Sequence, residues 1–105
     1  MELTIKAIHF DATEKLESFI EKKVKKLDKF HDGIISAEVL LKVIKPETAK
    51  NKQAGIRIKI RNGECFAEKL CDTFEEAVDT ATEALEKQLV KYKKKVRTKP
   101  EIVEN

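Results

Sequence analysis

The chain has 105 residues, of which 41% are hydrophobic and 39% are charged, and its formal net charge is +3. This length suits one domain with a single modest core, and the first residues lack the apolar run of a secretion signal. No stretch approaches the roughly 20 apolar residues that span a bilayer, so we expect a soluble, cytoplasmic protein with no membrane partner.

The first predicted elements are a strand and a helix. Residues 3–8 predict a strand, because Leu3, Ile5 and Ala7 alternate with Thr4, Lys6 and Ile8 and so would share one face of it. Asp11 or Thr13 can cap the helix that follows, and Asp32-Gly33 ends it. The apolar side of this helix runs to residue 30 and consists of Leu16, Phe19, Ile20, Val24, Leu27 and Phe30.

Three further strands are predicted in the middle of the chain. Residues 37–44 form a largely apolar second strand, and residues 46–53 have the composition of a loop. Residues 56–61 alternate isoleucine with basic residues, which is typical of a strand with one buried face. Asn62-Gly63 predicts a type I′ hairpin turn, because both of its positions need positive φ. A fourth strand then covers about 64–69.

A second helix closes the chain. Asp72 or Thr73 can cap it, and we expect it to end near Lys95. Residues 1–97 then form the domain, and residues 98–105 form a flexible, polar tail.

This order of elements predicts an α+β fold, a β-α-β-β-β-α two-layer sandwich. The first two strands should be parallel, since a helix crosses between them, and the remaining strands should form an antiparallel meander. Both helices should pack on the face of the four-stranded sheet that carries Ile56, Ile58 and Ile60.

Lysines form a stripe along each predicted helix, beside the apolar positions. In the first helix their spacings are seven, four and three residues, and in the second four and three, which places each set within a narrow arc of the helix surface. The stripes consist of Lys15, Lys22, Lys26 and Lys29, and of Lys87, Lys91 and Lys94. Any one lysine is better explained as a solvated charge, but one-sided sorting on both helices favours a surface that binds a polyanion, with RNA as the leading candidate.

Charge is unevenly distributed along the chain. Residues 15–29 hold six lysines, and residues 87–99 hold six lysines and Arg97. Between them, residues 64–86 hold eight carboxylates. The small net charge therefore understates the local fields.

The sequence gives little support for an enzyme, a cofactor or a small-molecule substrate. His9 and His31 each stand at a segment junction, outside any catalytic motif. Cys65 and Cys71 form a C-x5-C pair, a spacing that fits neither a zinc site nor a redox C-x-x-C pair, and we expect reduced thiols. With three glycines in the chain there is no glycine-rich phosphate loop.

The basic residues of the third strand are better explained as a solvent-facing side of the sheet than as an RNA contact. They are Arg57, Lys59 and Arg61. The open face also lacks the pair of aromatic residues on which single-stranded RNA readers stack bases. Recognition through backbone and shape is therefore favoured.

Several segments together resemble the ribosome hibernation-promoting factor/ribosome-associated inhibitor family. The similarity covers about residues 2–97, and the order and spacing of the segments make it specific. The segments are residues 11–16 (DATEKL), 19–30 (FIEKKVKKLDKF), 36–43 (SAEVLLKV), 66–68 (FAE), 74–79 (FEEAVD) and 85–95 (LEKQLVKYKKK).

The resemblance implies a fold related to double-stranded RNA-binding domains and a non-enzymatic function. Members bind the small ribosomal subunit in the channel for messenger and transfer RNA, and they inhibit translation in starved or stationary-phase cells. The matching basic positions, implied to contact phosphates of ribosomal RNA, are Lys22, Lys23, Lys26, Lys29, Lys87, Lys91, Lys93, Lys94 and Lys95.

Three features depart from the family pattern, and the first is the loop 46–53, which has no close match in the family. The chain ends at Asn105, so it resembles a short member without the additional C-terminal domain of long members. Val90 stands where many members carry another basic residue. Two alternatives stay open, namely a general double-stranded RNA-binding module and a protein-interaction module that docks through the acidic residues.

Overall fold

The computed structural model describes residues 1–44, 50–61 and 63–102, with side chains up to Tyr92. The elements are β1 (Glu2–Ala7), α1 (Glu14–Lys25), a 3-10 segment (Lys26–Lys29), β2 (Ile34–Val43), β3 (Lys52–Ile60), β4 (Gly63–Cys71) and α2 (Phe74–Ile102).

The sheet has the order β1-β2-β3-β4, with β1 parallel to β2 and the other neighbours antiparallel. This arrangement confirms the predicted β-α-β-β-β-α sandwich. The single parallel pair follows from the helix that carries the chain back between β1 and β2, whereas the later strands need only short connections.

The core lies between one face of the sheet and both helices. Ile56 and Ile58 are fully buried on β3, and they belong to one cluster with Ile20 of α1 and with Val78 and Leu85 of α2. The isoleucine face of β3 is therefore the face that the helices cover, as predicted. Alternation along each strand leaves the opposite face of the sheet in solvent.

A threonine caps each helix. The hydroxyl oxygen of Thr13 accepts a hydrogen bond from the backbone N–H of Leu16 at 3.1 Å, and that of Thr73 accepts from the N–H of Glu76 at 3.1 Å. Each satisfies an amide that the first helical turn leaves without a partner. A carboxylate oxygen of Asp72 instead accepts from a backbone amide in the β2–β3 connection, at 2.9 Å.

Several predicted boundaries differ from the structure, among them the start of β2, which begins at Ile34 and not at residue 37. Regular α-helix ends at Lys25, and the chain continues as the 3-10 segment, a tightening that is frequent at helix ends. Strand β3 begins at Lys52, inside the predicted loop 46–53, because Lys52 pairs with both Val43 and Cys71. Residues 46–49 of that loop, and residue 45 before it, lie outside the described residues.

The hairpin between β3 and β4 is also shifted from its predicted position. Ile60 pairs with Gly63, so Gly63 already belongs to β4 and the two-residue connection is Arg61-Asn62. Asn62 lies outside the described residues. Gly63, the second position of the predicted turn, is thus paired in a strand, and the type I′ geometry predicted for the first position is not among the described features.

Helix α2 extends to Ile102, beyond the predicted end near Lys95 and into the segment predicted as a tail. Arg97 and Lys99 are good helix formers, and a helix that has already formed extends by one hydrogen bond per added residue, except at Pro100, which has no N–H to donate. Composition alone therefore underestimated its length.

Candidate nucleic-acid interface

The two helices run parallel to each other. Phe10 and Phe74 stack near the N-terminal ends of the helices, with ring centroids 5.1 Å apart. Further along, Lys23 on α1 forms an ion pair with Asp79 on α2. Beyond the 3-10 segment, Phe30 lines a groove together with residues 86–88, 90 and 91 of α2. Successive positions on one helix thus meet successive positions on the other.

The parallel arrangement follows from the strand directions. Strands β1 and β4 point the same way, since β1 is parallel to β2 and two antiparallel steps separate β2 from β4. Each helix returns across the sheet after one of these strands, so both run in the same direction. The acidic first turns therefore share one end of the helical layer, and the lysine-rich second halves share the other.

The structure describes six lysines of the two stripes, and all six are exposed. They are Lys15, Lys22, Lys26, Lys29, Lys87 and Lys91. Among the described side chains none of the six has a carboxylate within ion-pair distance. Their charge is therefore available to an external polyanion, as the sequence interpretation requires.

Lys23 differs from these lysines, although the family resemblance places it in the same RNA-binding set. Its Nζ lies 2.8 Å from a carboxylate oxygen of Asp79 and 5.6 Å from the centre of the Phe19 ring. Its side chain is only 29% exposed. Lys23 thus links the two helices, and its charge is largely balanced by Asp79.

The last three predicted lysines cannot be placed as contacts. Lys93, Lys94 and Lys95 belong to α2, but their side chains lie outside the described residues. Their role in RNA binding stays a prediction, as it does for the other lysines of the set.

A groove lies beside the basic half of α2. It has a volume of about 530 Å³ and is lined by Phe30, Glu86, Lys87, Gln88, Val90 and Lys91. We call it the Phe30 groove. Phe30 is half-buried at the edge of the core, and Val90 is 41% exposed. Sequence reasoning assigned Phe30 to the core and read Val90 as a gap in the lysine stripe, so it missed this surface.

The open face of the sheet carries its own charge network. The guanidinium of Arg57 lies 3.7 Å from a carboxylate oxygen of Glu38 and 3.3 Å from one of Glu64. It also lies over the ring of Phe66, 5.3 Å from the ring centre. These contacts agree with the prediction that the basic residues of β3 are a solvent-facing side, because Arg57 is already paired within the protein.

Potential catalytic groups are dispersed in the described part of the chain. There, histidine, cysteine and carboxylate side chains form no group of three or more that could hold a metal ion. His31 accepts a hydrogen bond at Nδ1 from the backbone of Gly33, at 2.9 Å, and so supports the turn before β2. Cys65 and Cys71 are free thiols, and burial raises the pKa of Cys65.

None of the helices, as far as the chain is described, combines the length and the apolar character that crossing a membrane requires.

Comparison with protein families gives one match over most of the chain. The model described as "Sigma 54 modulation protein / S30EA ribosomal protein" matches residues 3–97.

Two curated proteins are similar in sequence. The ribosome hibernation promotion factor of Lactococcus lactis is 30% identical over 102 residues, which cover 95% of this chain and 54% of that protein. The ribosome hibernation promoting factor of Azotobacter vinelandii is 27% identical over 95 residues, covering 90% of this chain and 85% of that protein. The chain thus spans about half the length of the Lactococcus relative.

Two solved structures share the fold. The N-terminal domain of Thermus thermophilus Protein Y superposes with a TM-score of 0.75 at 25% identity, covering 88% of this chain and 99% of that one. A ribosomal subunit interface protein from Coxiella burnetii gives a TM-score of 0.79 at 24% identity, covering 89% and 98%. The second likeness concerns the fold alone.

Proposed function

This chain belongs to the sigma 54 modulation protein / S30EA ribosomal protein family, and on that basis we propose that it is a ribosome hibernation factor. It binds the small ribosomal subunit in the channel for messenger and transfer RNA. There it inhibits translation in the cytoplasm of starved or stationary-phase cells. The named relatives from Lactococcus and Azotobacter support the hibernation role.

The observation that carries the RNA-binding part of the proposal is the common direction of the two helices. It places Lys22, Lys26 and Lys29 of the first stripe on the same end of one layer as Lys87 and Lys91 of the second, and none of these has a carboxylate partner among the described side chains. Lysine contacts to phosphates release condensed counterions. Binding should therefore weaken steeply with salt if about six phosphates are neutralised.

In this proposal the protein inhibits translation by occupying the channel, and it makes or breaks no covalent bond. A folded domain that fills the channel excludes messenger and transfer RNA, because the same space cannot hold both. The charge arrangement favours one orientation, since the basic end of the helical layer is attracted to ribosomal RNA and the acidic end is repelled.

The test is co-sedimentation of the protein with purified small ribosomal subunits across a salt series. Messenger RNA and a duplex RNA serve as competitors. Binding that falls with salt, yields to messenger RNA and ignores the duplex supports the channel site. Equal competition by the duplex would instead indicate a general double-stranded RNA-binding module. No sedimentation at low salt would overturn the ribosome proposal.

Matched lysine variants locate the surface. The double variant Lys26→Ala/Lys87→Ala removes two exposed charges from the helical layer, one in the 3-10 segment that follows α1 and one in α2. The control Lys6→Ala/Lys59→Ala removes two exposed charges from the open face of the sheet. We expect the first variant to lower affinity and to reduce the salt slope by about two units, while the control changes both little. Equal losses in both would indicate a response to net charge alone.

A further inference from the structure

The Phe30 groove combines apolar and basic side chains in a way that plain phosphate binding does not need. Phe30 and Val90 supply apolar surface, and Lys87 and Lys91 are exposed beside them. The lysines are four residues apart, so they lie one helical turn from each other on the same side of α2. A duplex presents mostly backbone to such a surface and keeps the faces of its bases stacked.

We propose that the Phe30 groove binds unpaired nucleotides of RNA. The bases contact Phe30 and Val90, and the adjoining phosphates contact Lys87 and Lys91. This inference rests on the proposed function and names the kind of RNA that the basic surface selects. It makes Phe30 and Val90 specificity-determining residues, because an apolar surface can make a favourable contact only with a base that is not stacked within a duplex.

The charges that line the groove fit this division between bases and phosphates. Glu86 also lines the groove, and its carboxylate repels phosphate but can accept hydrogen bonds from the N–H groups of bases, including the ring N–H of uracil. The phosphates are therefore directed to the two lysines, and the bases to the region of Phe30, Val90 and Glu86. A groove for an anionic backbone alone would gain nothing from this carboxylate.

The same combination recurs on α1. A shallow depression there is lined by Lys15, Ser18, Phe19, Glu21, Lys22 and Lys25, so a second half-buried phenylalanine lies among lysines. Phe66, on the open face of the sheet, offers a contrast. Its ring is covered by Arg57, which two carboxylates hold in place. The cation beside the Phe66 ring is therefore already paired with carboxylates, whereas Lys87 and Lys91 beside Phe30 have no carboxylate partner among the described side chains.

The test compares binding of a short oligouridylate with binding of a duplex RNA of equal length, at one ionic strength, by fluorescence anisotropy. Oligouridylate is chosen because its bases stack weakly with one another. We expect the protein to prefer the single strand. Phe30→Leu keeps an apolar side chain but removes the ring, and it should weaken single-strand binding by roughly fivefold while leaving duplex binding unchanged.

A gain-of-function variant avoids any dependence on the core. Val90→Tyr adds a ring at an exposed position of the groove and should tighten oligouridylate binding by roughly fivefold. The matched controls are Leu70→Tyr and Phe66→Leu, at exposed positions of the open face, which should change nothing. Thermal unfolding monitored by circular dichroism establishes that each variant is folded.

The remaining outcomes separate this inference from the proposed function. Sedimentation with small subunits but no preference for single-stranded RNA overturns the inference and leaves the proposed function standing. Unchanged oligouridylate binding by both Phe30→Leu and Val90→Tyr overturns it as well. If these variants alter subunit binding but not RNA binding, the groove holds a protein segment. Failure to bind subunits at all removes the proposed function, and the inference with it.

Discussion

Lys23 of α1 and Asp79 of α2 are joined by an ion pair of 2.8 Å between Nζ and Oδ1. The pair crosses between the two helices that carry the exposed lysines, so it helps to fix their relative position. It also gives Lys23 a carboxylate partner, which the six exposed lysines of the stripes lack among the described side chains. Neighbouring lysines in the sequence thus differ in their contacts within the protein.

We expect this pair to contribute modestly to stability. Asp79→Asn should lower the free energy of unfolding by about 0.5–1 kcal/mol, because both side chains are partly exposed and solvent screens the attraction. Urea denaturation of Asp79→Asn, Lys23→Met and the double variant gives the coupling energy of the pair.

The Glu21–Lys25 pair within α1 is the control for this double-mutant cycle. It is longer, at 3.5 Å, and more exposed, so its coupling should be about 0.3 kcal/mol. A Lys23–Asp79 coupling no larger than this would contradict a role in fixing the helices.

Gly63 should resist substitution because Tyr92 lies against it. A Cβ at position 63 would lie 2.5 Å from the Tyr92 hydroxyl oxygen and 3.2 Å from Cζ, and φ of Gly63 is +157°. Both the overlap and the positive φ disfavour a side chain. Gly63→Ala should therefore cost about 1–3 kcal/mol in the free energy of unfolding, measured by chemical denaturation.

Two further variants separate the overlap from the backbone effect. Gly63→Ala in a Tyr92→Leu background should cost less than in the native background, because the smaller side chain relieves the contact. At Gly55 a Cβ would have its nearest neighbours at 3.5 Å, and Gly55→Ala should be tolerated. Equal costs at both glycines would show that Tyr92 does not pack on β4 as described.

The cap of α1 gives a prediction that distinguishes two candidates in the sequence. Thr13→Ala removes the hydroxyl that accepts from Leu16 and should lower the free energy of unfolding by about 1 kcal/mol. Asp11→Ala, at the alternative capping position, should have a smaller effect. Thermal or urea unfolding of the two variants decides between them, and a larger loss from Asp11→Ala would refute the assignment.

Stability should decline at alkaline pH through Cys65. Burial raises the pKa of this thiol above its ordinary value of 9.0, so the folded state holds the proton more tightly than the unfolded state. The protonated Cys65 thiol therefore makes its full contribution to the free energy of unfolding below pH 9.0, and this contribution is lost as pH rises through the folded-state pKa. Urea denaturation measured across this range should show the decline.

Cys65→Ala is the matched variant for the alkaline effect. It should be less stable near neutral pH, because Cys65 is 98% buried, yet its stability should depend less on pH above 9.0. Alkylation provides a second readout, since Cys71 is the more accessible of the two thiols and should react faster. An identical alkaline decline in Cys65→Ala would assign the effect to other groups.

Much of the fold could be predicted because its signals are local. The alternation of Ile56, Ile58 and Ile60 depends only on the geometry of a strand, and the lysine spacing depends only on the geometry of a helix. Family membership was also evident from short segments in their order. Boundaries were less predictable, as β3 and α2 show. The length of a strand depends on how far its partner strand pairs with it, and a helix extends as long as added residues continue its hydrogen bonding.

The candidate site divides in the same way. The sequence by itself determined which helix positions carry lysine, and hence that each helix has a basic second half. Only the tertiary structure placed these halves side by side, paired Lys23 with Asp79 and brought Phe30 into one groove with Lys87 and Val90. The physical reason is that periodicity acts within one element, whereas ion pairs and grooves form between residues that only the packed sheet and helices bring together.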